Sequence, residues 1–223
     1  MRNLPGGHPV GAFSNVDRTL RLRKSHLLVI SAGMGTPSSS RMLGDRLAEA
    51  TVKAMTAGGT PTTEVKVLEL RDLAVDLATF YTSHVPNKAL QAAFGLVGTA
   101  SGVIAVSPVL NAAVNGLFKL FFDLLDEGVL KGRPVLMAAT GGTARHSLAI
   151  DQAMLPMFFY LKAAVAPTGV FAATDDWGTS ESGLARRVQR AGTEFAELIA
   201  KNPAADYADE FANVPDFSTL LNG

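Results

Sequence analysis

Three stretches of small and hydroxylated residues carry the types and spacings that do chemistry. The first is Ser31-Ala32-Gly33-Met34-Gly35-Thr36-Pro37-Ser38-Ser39-Ser40-Arg41. Serines at a helix N-terminus offer a phosphate their hydroxyls, unpaired backbone amides and the positive end of the helix dipole. Arg41 adds a cation. The plainer reading is that Ser38 or Ser39 caps the helix, which one serine alone accomplishes. The second stretch runs Ser107-Pro108-Val109-Leu110-Asn111. Proline after a buried strand stiffens the turn, and small residues let a flat ligand lie against backbone. Asn111 reads equally as a helix cap. The third is Thr140-Gly141-Gly142-Thr143, followed by Arg145 and His146. Two glycines there allow a concave set of amides, and His146 reads as a ligand-site residue or a structural one.

These stretches need a frame that brings them together. Short apolar runs alternate with longer helical patterns, as in a parallel sheet covered on both faces. Strands are expected at His26–Ile30, Val65–Leu70, Val103–Val106, Pro134–Ala139 and Gly169–Ala173. Helices are expected around Leu43–Ala54, closed by Gly58-Gly59, and around Leu90–Val97. A third follows Asn111 with Leu117, Phe121, Leu124 and Leu125 inward and Gly128 as its C-terminal cap. Further helices span Leu148–Leu161, broken near Pro156, and about Glu181–Lys201. Each chemically suggestive stretch then follows its own strand. Ligands in doubly wound sheets sit beyond those carboxyl ends.

Composition narrows the function. The 223 residues suffice for one domain, with 48% hydrophobic and 18% charged side chains. Lysine plus arginine equals aspartate plus glutamate at 20 each, so nothing electrostatic draws the chain to nucleic acid or an anionic membrane. Without cysteine there are no disulfides, thiolate metal sites or cysteine nucleophiles, and a cytoplasmic setting is expected. His8, His26 and His84 have no metal-ligand spacing. Ala92–Phe118 carries no charge, but its glycines, Pro108, Asn111 and Asn115 divide it into globular elements rather than a membrane span. Gly33 and Gly35 begin a dinucleotide-binding fingerprint that Pro37 and Ser38 do not complete, and Glu69 lies too far along for its acid. No Walker loop or nucleophile elbow is present. Residues 1–24 read as a mobile arm, 25–201 as the domain and 202–223 as a tail. Lys119 and Asp123 read as a solvated i,i+4 pair. Met154–Leu161 fits core or interface equally.

Taken in order, Pro37-Ser38-Ser39-Ser40-Arg41, Pro108 with Asn115-Gly116-Leu117-Phe118-Lys119 and Asp123, and Gly141-Gly142-Thr143-Ala144-Arg145-His146 resemble the NADPH-dependent FMN reductase family. The likeness is to reductases that accompany luciferase-like monooxygenases. It implies a flavodoxin-like doubly wound five-stranded parallel sheet of order 2-1-3-4-5 with helices on both faces. It further implies that the loop from Ser31 and Gly33 to Arg41 holds the FMN phosphate. Pro108, Val109, Leu110 and Asn111 would flank the isoalloxazine, and Thr140, Gly141, Gly142, Thr143, Arg145 and His146 would serve its pyrimidine edge. Hydride would pass from NADPH or NADH to FMN without a dedicated catalytic acid or base. A homodimer or homotetramer and a monooxygenase partner are also implied. Alternatives are an FMN-containing quinone, azo or nitro reductase and a non-enzymatic flavodoxin-type electron carrier. Leu110 stands where the family often has an aromatic residue, and Gly33-Met34 replaces its usual Gly-Ser-x-Arg start.

Overall fold

A computed structural model describes residues 26–60, 63–178 and 183–202, so the expected arm and most of the expected tail lie outside the described residues. β1 (His26–Ser31) is buried along its whole length and pairs in parallel with β2 (Glu64–Glu69) on one side and β3 (Ala100–Leu110) on the other. β3 pairs in turn with β5 (Pro134–Gly141). The far edge consists of two short pieces, β6 (Ala164–Val165) beside the start of β5 and β7 (Val170–Ala173) beside its end. The sheet order is therefore the expected flavodoxin-like one, with its last strand interrupted. The chain winds one way from β1 to β2 and the other way from β2 to β3, which opens the crevice above β1 and β3.

Helices cover both faces. α1 (Ser39–Ala57) and α6 (Leu184–Lys201) share one core layer with Leu27, Val29, Ile104 and Leu136. α2 (Ala74–Ser83), α3 (Lys88–Thr99), α4 (Gly116–Asp123) and α5 (Leu155–Tyr160) contribute to the other. There Phe122 meets Phe158 edge-on at 5.0 Å between ring centres, a favoured aromatic geometry.

Several expectations shift. β3 extends four residues beyond Val106 and closes a hairpin with β4 (Ala113–Val114). α4 fully buries Phe118, Phe121 and Phe122, while Leu117 is only partly covered. It ends at Asp123 in a tightened turn, Leu124 N–H to Phe121 O at 3.3 Å. Gly128 is thus not the cap; with φ +84° it serves a later turn that brings Val129 and Leu130 to the core. α2 had no expected counterpart, since only Leu77 on it is buried and no apolar stripe marks it. The segment before Pro156 is a π-turn, Ile150–Met154, that passes directly into α5. Met154 and Phe158 face inward while Phe159 and Tyr160 are exposed, so core and surface divide that apolar stretch between them.

Candidate functional site

β1, β3 and β5 are neighbours, so their carboxyl ends stand side by side at about 4.8 Å per strand. Ser31 is level with Val106 and Pro108 with Thr140. All three sequence-marked stretches therefore converge on one rim.

The first loop is folded tightly on itself. Ser31 Oγ accepts from the Gly33 amide at 3.3 Å. Ser38 caps α1, its Oγ accepting from the Arg41 amide at 3.2 Å. A Cβ on Gly33 would lie 1.9 Å from that same Oγ, so only glycine lets the two sides of the loop close. The serine run divides its labour. Ser38 caps, Ser39 is exposed, and buried Ser40 shares a 2.8 Å hydrogen bond with Thr140 on β5. The capping reading holds for one serine, Ser38, and the amides of Ser39 and Ser40 stand at the positive end of a 19-residue helix.

Arg41 does not reach out freely. Its Nε donates to Asp45 at 2.8 Å and its Nη1 to Glu69 Oε1 at 2.8 Å. The hydrogen bond it donates to Asp45, reinforced by the one to Glu69, holds the guanidinium more firmly protonated than an isolated arginine. Glu69, at the end of β2, also grips Arg71. Arg71 Nη1 in turn donates to Gly35 O at 2.6 Å and Thr36 Oγ1 at 2.7 Å. Sequence reasoning assigned Arg71 no role and met Glu69 only as a residue that failed a fingerprint.

The second stretch is strand and hairpin rather than loose loop. Val109 pairs with Val114 and Leu110 with Ala113. The two-residue turn between them, Asn111-Ala112, has positive φ at both positions, 49° and 64°, as a type I′ hairpin turn requires. Asn111 is consequently a turn residue, not a helix cap. The cap of α4 is Asn115, whose Oδ1 accepts from the Leu117 amide at 2.7 Å. Its Nδ2 donates to Ala32 O at 3.2 Å and its own amide to Ser107 Oγ at 2.9 Å. Asn115, buried at 4% exposure, thereby ties the first loop to the second. Its spacing before an apolar helix was the available signal for a cap. Leu110 is 41% exposed on the hairpin.

In the third stretch, Gly141 pairs with Ala173, and a Cβ there would come within 2.9 Å of the Phe171 ring. Gly142 is exposed and a Cβ on it would meet nothing, which leaves its backbone approachable. Thr143 then opens a short 3₁₀ turn, Ala144–His146, with exposed Arg145 and half-buried His146. Lys119 and Asp123 form the expected i,i+4 pair on α4.

Free helix amides beside hydroxyls on one strand end, and an open glycine backbone two strands over, match the needs of a phosphate joined to a flat polar ring. The sheet order and the crevice at its switch point define the class as a flavodoxin-like α/β protein. The family model for NADPH-dependent FMN reductases matches residues 25–178, and the chain belongs to that family. It is accordingly an NAD(P)H:FMN oxidoreductase with FMN and a reduced nicotinamide as cofactors. Among relatives, FMN reductase (NADPH) of Pseudomonas aeruginosa is 36% identical over 138 residues, 60% of this chain and 74% of its own. NADH-dependent FMN reductase SfnF of Pseudomonas fluorescens is 32% identical over 181 residues, 79% and 93% of the two chains. The solved structure of an oxidoreductase from Corynebacterium diphtheriae superposes with a TM-score of 0.76 at 40% identity, covering 80% of this chain and 98% of that one. Among the described residues no helix is long and apolar enough to cross a membrane.

Proposed function

We propose that the chain treats FMN as an exchangeable substrate, reducing it with NADPH or NADH and releasing it to a flavin-dependent monooxygenase. The observation that carries this reading is the absence of any phenylalanine, tyrosine or tryptophan from the three site stretches, with exposed Leu110 on the hairpin instead. A stacked aromatic pair contributes about 1 kcal/mol beyond its buried area, so a site without one holds the ring roughly five-fold less tightly.

Bound FMN supplies the chemistry by accepting hydride from the nicotinamide. The protein's share is placement. Ser39 and Ser40 amides would receive the phosphate, and Gly141 and Gly142 would offer backbone donors to the ring's polar edge. Leu110 and Pro108 would limit water on one side, and His146 and Arg145 would stand near the reduced ring's negative charge. No side chain needs to act as acid or base in the transfer itself. Exposed Phe159 and Tyr160 support assembly as a homodimer or homotetramer.

Anaerobic turnover with stoichiometric FMN and excess NADPH, followed by rapid ultrafiltration, tests the release. The proposal expects most of the reduced flavin in the filtrate. Flavin retained with the protein would instead indicate a prosthetic group serving a quinone, azo or nitro acceptor.

A further inference from the structure

The β1–α1 loop is braced from outside by a charged group at the end of β2. Glu69, with its side chain only 15% exposed, engages two arginines. One is Arg41, the third residue of α1, whose amide already receives the Ser38 cap. The other is Arg71, which reaches from the end of β2 to the Gly35 carbonyl and the Thr36 hydroxyl. A single guanidinium thus joins Glu69 to the outer half of the loop, and a single carboxylate joins that guanidinium to the helix start. Met34, Gly35, Thr36 and Pro37 are all exposed and have little apolar packing to fix them. For this half of the loop the polar brace is the chief restraint, because exposed segments without buried contacts open at little cost.

We propose that Glu69 and Arg71 are positioning residues that hold the β1–α1 loop in its phosphate-accepting shape and thereby set the preference for FMN over riboflavin. The inference rests on the reading that the Ser39 and Ser40 amides receive the FMN phosphate. The polar contacts of Glu69 and Arg71 go to Arg41 and to the β1–α1 loop and not to the two stretches assigned to the ring, so an effect on the phosphate alone is the signature. The planar fork of arginine is what allows one residue to bridge carboxylate and loop together. Lysine at position 71 keeps the charge but gathers its donors on one nitrogen, without the fork that spans carboxylate and loop.

Charge and geometry give opposite signs at Glu69. If this carboxylate acted only through its field, Glu69→Gln would remove a negative charge near the phosphate and tighten FMN. If it acts by positioning Arg71 and Arg41, the same change releases the loop and weakens FMN.

The test is titration of the wild type and of the Arg71→Ala, Arg71→Lys and Glu69→Gln variants with FMN and with riboflavin, read by flavin fluorescence. Amide hydrogen exchange over residues 33–38, measured without flavin, accompanies it. Expected are a rise of about ten-fold in the FMN Kd for Arg71→Ala, the scale of one lost charged hydrogen-bonded contact, and a smaller rise for Arg71→Lys. Glu69→Gln should also weaken FMN. Riboflavin binding should stay within about two-fold throughout, and exchange over residues 33–38 should quicken in Arg71→Ala and Glu69→Gln. Tighter FMN binding in Glu69→Gln, equal losses for both flavins, or unchanged FMN affinity would each overturn the proposal. A wild type that binds FMN no better than riboflavin would overturn the phosphate-site reading beneath it. A wild-type preference that survives in all variants overturns the clamp alone.

Discussion

Replacing Gly33 by alanine inserts one methyl group at the tightest point of the site, and the structure gives its cost. The new Cβ would sit 1.9 Å from Ser38 Oγ, 3.0 Å from Ser38 Cβ and 3.3 Å from Ser40 Cβ, where ordinary contact begins at 3.4 Å. Relief therefore needs a displacement of about 1.5 Å at the hydroxyl, about 0.4 Å at Ser38 Cβ and about 0.1 Å at Ser40 Cβ. Turning the Ser38 hydroxyl away forfeits the α1 cap, about 1 kcal/mol. Moving the carbons against the sheet adds about 1–3 kcal/mol of overpacking. The sum is roughly 2–4 kcal/mol. In a chain of this size that lowers Tm by roughly 4–16 °C. Urea unfolding of Gly33→Ala, Ser38→Gly and the double variant measures it. Glycine is nearly as good an N-cap as serine, so Ser38→Gly alone should cost a few tenths of a kcal/mol. Because it also removes both atoms of the worst clash, Gly33→Ala should cost under about 1 kcal/mol in that background. The coupling should exceed about 1 kcal/mol. Equal costs for Gly33→Ala in both backgrounds would refute the argument that this contact closes the loop.

Three further outcomes follow from single features. Asn115→Ala strips partners from the buried Ala32 carbonyl and the Leu117 amide and should destabilise by about 2–3 kcal/mol, read by chemical denaturation; a loss under half a kcal/mol would contradict the cap assignment. Ala112→Gly relieves a left-handed φ of 64° on alanine and should stabilise by about 0.5–1 kcal/mol, whereas destabilisation would argue against the I′ turn. His26 is buried at the opposite end of the sheet with Nε2 unpartnered, and burial, aided by the Lys66 charge, lowers its pKa from 6.5. Its folded form binds fewer protons than its unfolded form, so stability should be complete above about pH 6.5 and decline as pH falls below it. His26→Phe should flatten that decline in denaturation series between about pH 6.5 and 5, and an unchanged slope would exclude His26 as its source.

The centre of the sheet was legible because β1, β5 and the first part of β3 are apolar runs buried on both sides. His26–Ile30 and Pro134–Ala139 need no context to be recognised. The candidate site stretches stood out because Ser31, Ser107 and Thr140 interrupt the apolar runs of β1, β3 and β5 with small polar residues. What remained hidden depends on distance in sequence. Ser40 meets Thr140 across a hundred positions, and Arg71 meets Gly35 across 36; no local pattern encodes either pairing. Asn111 and Asn115 illustrate a nearer ambiguity. Both are asparagines shortly before a helix, and only the strand pairing of Leu110 with Ala113 assigns the first to a turn and the second to the cap. α2 escaped notice because a helix with one buried residue carries no periodic signal.

Steady-state oxidation of NADPH and of NADH by the purified protein, with and without added FMN, tests the central claim most directly. Oxidation of at least one reduced nicotinamide should rise with FMN to saturation and fall sharply in Gly33→Ala. Oxidation no faster than the protein-free mixture at every FMN concentration would contradict it.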